Sequence, residues 1–347
     1  MISKIDTSFQ LFNTYLSENN YSKIVILCDT NTHEYCLPEF LGNMETDVPF
    51  EILEIEPGED MKTLETVAQL WQILLEYECD RKTLLICLGG GVIGDMGGFV
   101  ASTYKRGIDF IQIPTTLLSM CDSSIGGKTG IDFAGVKNCI GSFAEAKATF
   151  VNPHFLQTLN YIELRSGFAE MLKHGLIYSA QHWNDLTAIK DLTAEHLAPY
   201  IENSIQIKSE VVLKDFREQN IRKTLNFGHT IGHAIEAAFL NSQNPIPHGE
   251  GVAAGMIAES YLSFIKELIT ESQFEEIVKG ICSYFPILNI ELFNNEMLLQ
   301  IMKNDKKNNK GNLLFAIVDS VGSCLYDVEI ESNLVEEALN FYRNLNN

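Results

Sequence analysis

At 347 residues with 46% hydrophobic content, the chain is long enough to form two domains, each with its own core. Asp and Glu number 46 against 25 Lys and Arg, a formal net charge of -21, so the surface repels nucleic acid and anionic membranes, and an anionic ligand needs a local basic pocket. The eight cysteines form no C-x-x-C pair and lie mostly in apolar runs as reduced, packed thiols; with no basic-then-apolar leader and no apolar run of the roughly 18 residues that span a bilayer, a cytoplasmic protein is expected.

The first half alternates short β-rich runs with helical stretches. The runs are 23–28 (KIVILC), 50–55 (FEILEI), 83–88 (TLLICL) and 109–113 (DFIQI). Between them, 61–78 carries Leu64, Val67, Ala68, Trp71 and Leu74 at helical spacing. This alternation predicts an α/β domain over 1–152 with a mostly parallel sheet covered on both faces. After Asn152-Pro153 the periodicity turns helical: 161–179, 195–214, 226–240, 249–268, 271–284, 295–304 and 332–345 read as helices, with a strand-like run at 313–318. An α-helical domain is therefore expected over 153–347. Ligands of open α/β sheets bind beyond the carboxyl ends of the strands, which places the expected site in the cleft between the halves.

Three motifs carry chemistry. Gly89-Gly90-Gly91-Val92-Ile93-Gly94-Asp95 follows a buried strand and leads into a helix expected over 95–104. It satisfies G-x-G-x-x-G, in which glycines let the backbone approach a pyrophosphate at a helix N-terminus; the same glycines also suit plain helix–strand packing. Asp29, ending an earlier strand, is placed to accept from a ribose hydroxyl. The second motif, Asp122 to Gly130 (DSSIGGKTG), is no P-loop, because a carboxylate stands where that loop needs glycine. Lys128 in this loop, followed by Lys137-Asn138, can clamp one phosphate or carboxylate, and a solvated turn is the plainer reading. The third runs from Arg222 to His233 (RKTLNFGHTIGH) and on to His248. His229 and His233 share a helix face and His248 opens the next helix; three histidines so close suggest a divalent metal. Glu170, a carboxylate in an apolar helix, is the best further ligand, and an exposed ion pair with Lys173 is the alternative. His33, His154, His174, His182 and His196 read as surface or packing residues.

In order, GGGVIGD, Thr115-Thr116, DSSIGGKTGID, VKN, GFAEMLKHG, RKTLNFGHTIGHAIE, HGEGVAAGM and Asn304-Asp305-Lys306-Lys307 resemble the 3-dehydroquinate synthase family over most of the chain. The resemblance implies an N-terminal Rossmann-like α/β domain and an all-α C-terminal domain. It implies that Glu170, His229 and His248 bind a metal, zinc or cobalt, with His233 left for proton handling beside Glu218. NAD would be held by Asp29, Asn31, Glu59, Lys62, Gly91, Val92, Ile93, Gly94, Asp95, Thr115, Thr116, Lys128, Lys137, Phe155, Leu156, Gln157 and Thr158. Substrate contacts would come from Asp122, Lys128, Asn138, Lys173, Lys208, Arg222, Asn226 and Lys306. Arg106 would enter the partner subunit's site in a homodimer. Ser166 stands where some members have asparagine.

The implied reaction belongs to the shikimate pathway and aromatic amino acid biosynthesis. It converts 3-deoxy-D-arabino-heptulosonate 7-phosphate to 3-dehydroquinate by transient NAD oxidation, phosphate elimination, reduction and aldol closure. Two other readings fit many of the same residues: a polyol dehydrogenase of the glycerol-dehydrogenase type, which would accumulate NADH, and a non-catalytic binding protein, which would need no ion.

Overall fold

The computed structural model describes residues 3–240, 242, 244–304 and 313–345. The chain divides into two compact units, Met1–Asn160 with Thr193–Ile205, and Tyr161–Leu192 with Gln206–Asn347. The periodicity shift at 152–153 thus precedes the division, and 193–205 belongs with the first unit.

The first unit runs β1 (Ser3–Ile5), α1 (Gln10–Glu18), β2 (Lys23–Asp29), α2 (Thr30–Tyr35), α3 (Leu37–Asn43), β3 (Phe50–Ile55), α4 (Leu64–Glu76), β4 (Thr83–Gly89), α5 (Gly91–Thr103), β5 (Asp109–Pro114), β6 (Lys128–Phe133), β7 (Val136–Phe143) and β8 (Thr149–Val151). Six strands form one parallel sheet in the order β1-β8-β5-β4-β2-β3. Every residue of β4 is buried, as is the interior of β2, which explains why both read as unbroken apolar runs rather than alternating ones. The strands β6 and β7 form a separate antiparallel hairpin.

Helix α5 begins at Gly91, not at Asp95, so the glycine motif is its first turn. A Cβ on Gly94 would lie 2.7 Å from Gln112 Oε1, and one on Gly97 would lie 2.5 Å from Cys87 Sγ. These glycines let the helix rest directly on β4 and β5, fixing its N-terminus at the carboxyl ends of those strands.

The second unit contains α6 (Tyr161–Tyr178), α7 (Ala180–Thr187), the later part of α8 (Ala194–Lys214), α9 (His229–Leu240), α10 (His248–Ile265), α11 (Glu271–Cys282), α12 (Asn295–Asn304), β9 (Leu313–Ser320), β10 (Ser323–Ile330) and α13 (Ser332–Asn344). Among its described residues the regular structure is helical apart from the β9–β10 hairpin. The run at 313–318 is one arm of that hairpin; the other hides from a pattern search because register shifts interrupt its alternation. Helix α7 spans two turns, too short to declare a period. Residues Gly251 to Ser260 of α10 are all buried, so this helix is the hub of its unit. All eight cysteines are unbridged. No described helix is long and apolar enough to cross a membrane.

Candidate active site

Three side chains from three helices of the second unit converge. Glu170 on α6 is fully buried, His229 opens α9, and His248 opens α10. Glu170 Oε1 lies 3.3 Å from His229 Nε2 and 3.3 Å from His248 Nε2. One donor atom from each residue falls within 4.8 Å of the other two. His233, one turn along α9, has its ring centroid 5.0 Å from that of His229 and belongs instead to a second group with Glu236 and His248. Spacing alone pairs His229 with His233, whereas the geometry groups His229 with Glu170 and His248.

The far nitrogen of each imidazole decides what the near one can do. His229 Nδ1 lies 3.0 Å from the Phe227 carbonyl oxygen, which only accepts, so Nδ1 carries a proton and donates it. His248 Nδ1 likewise donates to Glu236 Oε2 at 2.9 Å. In a neutral ring this leaves Nε2 with its lone pair aimed at the Glu170 carboxylate, itself an acceptor. With both rings neutral three acceptors face one another, a repulsion that a proton on His248 Nε2 relieves in the metal-free site and that a metal cation would relieve in its place; imidazoles oriented by carbonyl and carboxylate partners are how proteins present metal ligands. The residues present fit a divalent metal.

In the metal-free site the electrostatics favour that proton on His248. Burial pushes the Glu170 carboxyl up, but the Lys173 ammonium and the two imidazoles outweigh it and hold the pKa well below the usual carboxylate range. For His248, burial pushes the pKa down, yet hydrogen bonds with Glu170 and Glu236 prevail and raise it to about 10. For His229, burial wins and the pKa falls below its ordinary value. The Glu170–Lys173 ion pair exists, but both side chains are inside the protein, so it is not a solvated surface pair. Its effect is to turn one carboxylate oxygen to the ammonium and leave the other for the histidines.

Further along the unit, a loop after α8 presents the predicted substrate contacts. Asp215 accepts backbone N–H bonds from Gln219, Asn220 and Arg222 at 3.0, 2.6 and 3.1 Å, which closes the turn. Arg222 is buried, and its guanidinium donates to the Phe216 carbonyl at 2.5 Å. Asn226 Nδ2 donates to Glu218 Oε1 at 2.8 Å. Lys208 and Lys173 are buried ammoniums. Lys306 lies outside the described residues.

In the first unit, the carboxyl ends of β2, β4 and β5 bring together much of the predicted cofactor set. Helix α5 has Gly90 at its N-cap and no side-chain cap, leaving its first-turn N–H groups at Gly91, Val92 and Ile93 suited to an anion. A Cβ on Gly90 would approach Thr116 Cγ2 to 3.1 Å, and one on Gly91 would approach Ser123 Oγ to 3.2 Å. The cradle is thus open only because glycine stands there. Lys62 is buried and donates to Asp95 Oδ2 at 2.8 Å and Asn138 Oδ1 at 2.6 Å, with Glu59 at 3.6 Å. Asn138, expected among the substrate contacts, is therefore tied to the cofactor-side lysine. Asp29 caps α2 by accepting from Thr32 N at 2.8 Å, which fixes its carboxylate at the end of β2. Asn31 is exposed beside it. Thr115 N–H bonds to the Gly89 carbonyl, joining the ends of β4 and β5. Phe155 and Leu156 are core side chains, so any cofactor contact there goes through backbone, whereas Gln157 and Thr158 are exposed. Lys128, Lys137 and Arg106 are exposed on the hairpin and after α5, and Asp122 lies in a helical turn at Ser119–Ser123.

Glu236 and Asp215 complete this picture, and the sequence motifs give neither of them a role. Glu236 lies seven residues after His229 and three after His233, on the same helix face, so its spacing carried the signal.

Sequence models of the family match the whole central part of the chain: 3-dehydroquinate synthase N-terminal over residues 52–166 and 3-dehydroquinate synthase C-terminal over residues 167–308. The chain is 40% identical over 335 residues to a 3-dehydroquinate synthase of Parabacteroides distasonis, covering 95% of this chain and 94% of that one. A 3-dehydroquinate synthase of Shewanella halifaxensis is 40% identical over 318 residues, covering 89% and 88%. Among solved structures, ValA, a 2-epi-5-epi-valiolone synthase of Streptomyces hygroscopicus with NAD+ and Zn2+ bound, shares the fold at a TM-score of 0.89 and 24% identity, covering 99% of this chain and 96% of that one. With both halves of the family signature matched in order and relatives at this identity along nearly its full length, the chain belongs to the 3-dehydroquinate synthase family.

Proposed function

We propose that this protein converts 3-deoxy-D-arabino-heptulosonate 7-phosphate to 3-dehydroquinate and inorganic phosphate, with NAD and a divalent metal, zinc or cobalt, as cofactors. The observation that carries the reading is the meeting of Glu170, His229 and His248 with both Nδ1 atoms already committed. When bound, the metal supplies a Lewis acid that lowers the pKa of a substrate hydroxyl, and NAD supplies a hydride acceptor that is restored within each turnover.

The chain's own residues supply orientation and charge. Glu170, His229 and His248 hold the ion, and Lys173 steers the Glu170 carboxylate toward it. Gly91 to Asp95, Thr115, Thr116 and Lys62 cradle the dinucleotide, with Asp29 on a ribose hydroxyl. Arg222, Lys208 and Asn226 bind the anionic groups of the substrate by charge-assisted and amide hydrogen bonds, which an acidic protein can do only through such fixed local cations. His233, with Glu218 bonded to Asn226, takes up and returns protons, since imidazole titrates near neutrality.

The reading extends to a homodimer in which Arg106 enters the partner subunit's site. Lys105 and Arg106 are consecutive non-glycine residues with φ of 48° and 69°, and both are exposed. Such strain costs roughly 1–3 kcal/mol per residue and concentrates at functional positions.

The test is to supply the heptulosonate phosphate with substoichiometric NAD and follow phosphate and NADH together. Phosphate release exceeding the NAD present, without NADH accumulation and sensitive to a chelator, is expected. NADH formed in step with substrate consumption would instead mark a polyol dehydrogenase.

A further inference from the structure

Helix α9 is preceded by Phe227 and Gly228, neither of which has a side-chain acceptor to cap it. Its first N–H groups are orphan donors that must find partners. They find Glu259, three turns into α10. Glu259 is fully buried, and its two carboxylate oxygens accept from Gly228 N at 2.6 Å and Ile231 N at 2.9 Å. The two bonds bracket His229.

We infer that Glu259 is a positioning residue for the metal centre, holding the first turn of α9 so that His229 presents Nε2 beside Glu170. The inference rests on the metal reading above. A carboxylate is suited to this place because the positive end of a helix favours it, and two charge-assisted bonds offset its burial. The ring's other anchor, the Phe227 carbonyl, lies within the same short segment, so Glu259 governs both the backbone and the ring of His229. Close contact leaves the segment no room to rearrange. A Cβ on Gly255 would lie 1.9 Å from the Gly228 carbonyl oxygen, and Gly228 itself has φ of +79°. Ser166 does the equivalent for His248, accepting from Gly249 N at 3.0 Å. Unlike Ser166, Glu259 meets these backbone donors with a charge.

The substitution Glu259→Gln keeps shape but turns one acceptor into an amide NH2 facing a backbone N–H. The reader is zinc affinity, measured by competition with a chromophoric chelator, together with the cobalt-substituted absorption spectrum. A loss of about 10- to 100-fold in affinity is expected, with a changed cobalt spectrum and unchanged NAD affinity. Ile277→Val, in the core of α11, controls for lowered stability alone and should leave both readings unaltered. Zinc affinity within twofold of the unsubstituted protein would overturn the inference. If the unsubstituted protein binds no zinc, the metal reading fails instead. A second measurement needs no substitution: in the metal-stripped protein the Gly228 and Ile231 amides should remain protected from hydrogen exchange. Exchange at the rate of free amides until zinc is added would show that the ion, not Glu259, orders this turn.

Discussion

His248 has the most to lose from a single change, because its two nitrogens join Glu236 to Glu170. Replacing it with alanine removes a proposed ligand and leaves the buried Glu170 and the partly buried Glu236 without their shared partner. Turnover of His248→Ala should fall by roughly a thousandfold or more, since Lewis-acid stabilisation amounts to several kcal/mol, while NAD affinity by equilibrium titration stays unchanged. Turnover that persists would remove His248 from the ligand set. The same residue sets a pH dependence. Without metal its pKa is raised from 6.5 to about 10, so protonation contributes stability that is complete below 6.5 and is lost as pH rises through about 10. Thermal melting of the metal-free protein should therefore drop across that window. At neutral pH zinc must displace the proton from His248, so calorimetric titration in buffers of different ionisation heat should report about one proton released per ion bound. A binding enthalpy independent of buffer would contradict it.

At the scale of elements, the site depends on how closely α9 and α10 cross. Gly232 faces Gly251, and Gly255 faces Gly228, in each case with no room for a methyl group. Gly255→Ala should cost about 1–3 kcal/mol or more through overpacking, seen as an earlier midpoint in denaturant, and should lower zinc occupancy with it. A variant as stable as the parent would mean the helices can separate without harm. These elements differ in how openly the sequence announces them. The parallel strands β2, β4 and β5 are legible because burial on both faces demands apolar runs, and the largely exposed edge strand β3 because its Phe and Ile residues favour a strand. The run of β9 is legible too, but its partner β10 and the short strands β1 and β8 are not, since bulges and lengths of three residues erase any period. Glu170 is legible because a carboxylate in an apolar helix needs a reason. Glu259 sends the same signal from GVAAGMIAESYL, but only the fold shows that its reason is the start of a different helix. That His248 joins His229 while His233 does not is likewise invisible in spacing, which sees one helix at a time.

For the whole molecule, a net charge of -21 sets the terms on which an anionic substrate is met. Of the 25 Lys and Arg, eight fall in the proposed sites: Lys62, Arg106, Lys128, Lys137, Lys173, Lys208, Arg222 and Lys306. Arg106 carries a prediction at this scale. If it completes a partner subunit's site, Arg106→Ala and His248→Ala should each be inactive alone, yet regain partial activity when mixed and allowed to exchange subunits. No recovery, with exchange verified, would confine Arg106 to its own chain. The central claim concerns the ion itself. An anomalous difference map recorded at the zinc edge from zinc-loaded crystals should show one peak per chain about 2.0–2.2 Å from a Glu170 oxygen and from Nε2 of His229 and His248. A zinc-replete crystal with no peak there, or with its peak elsewhere, would contradict it.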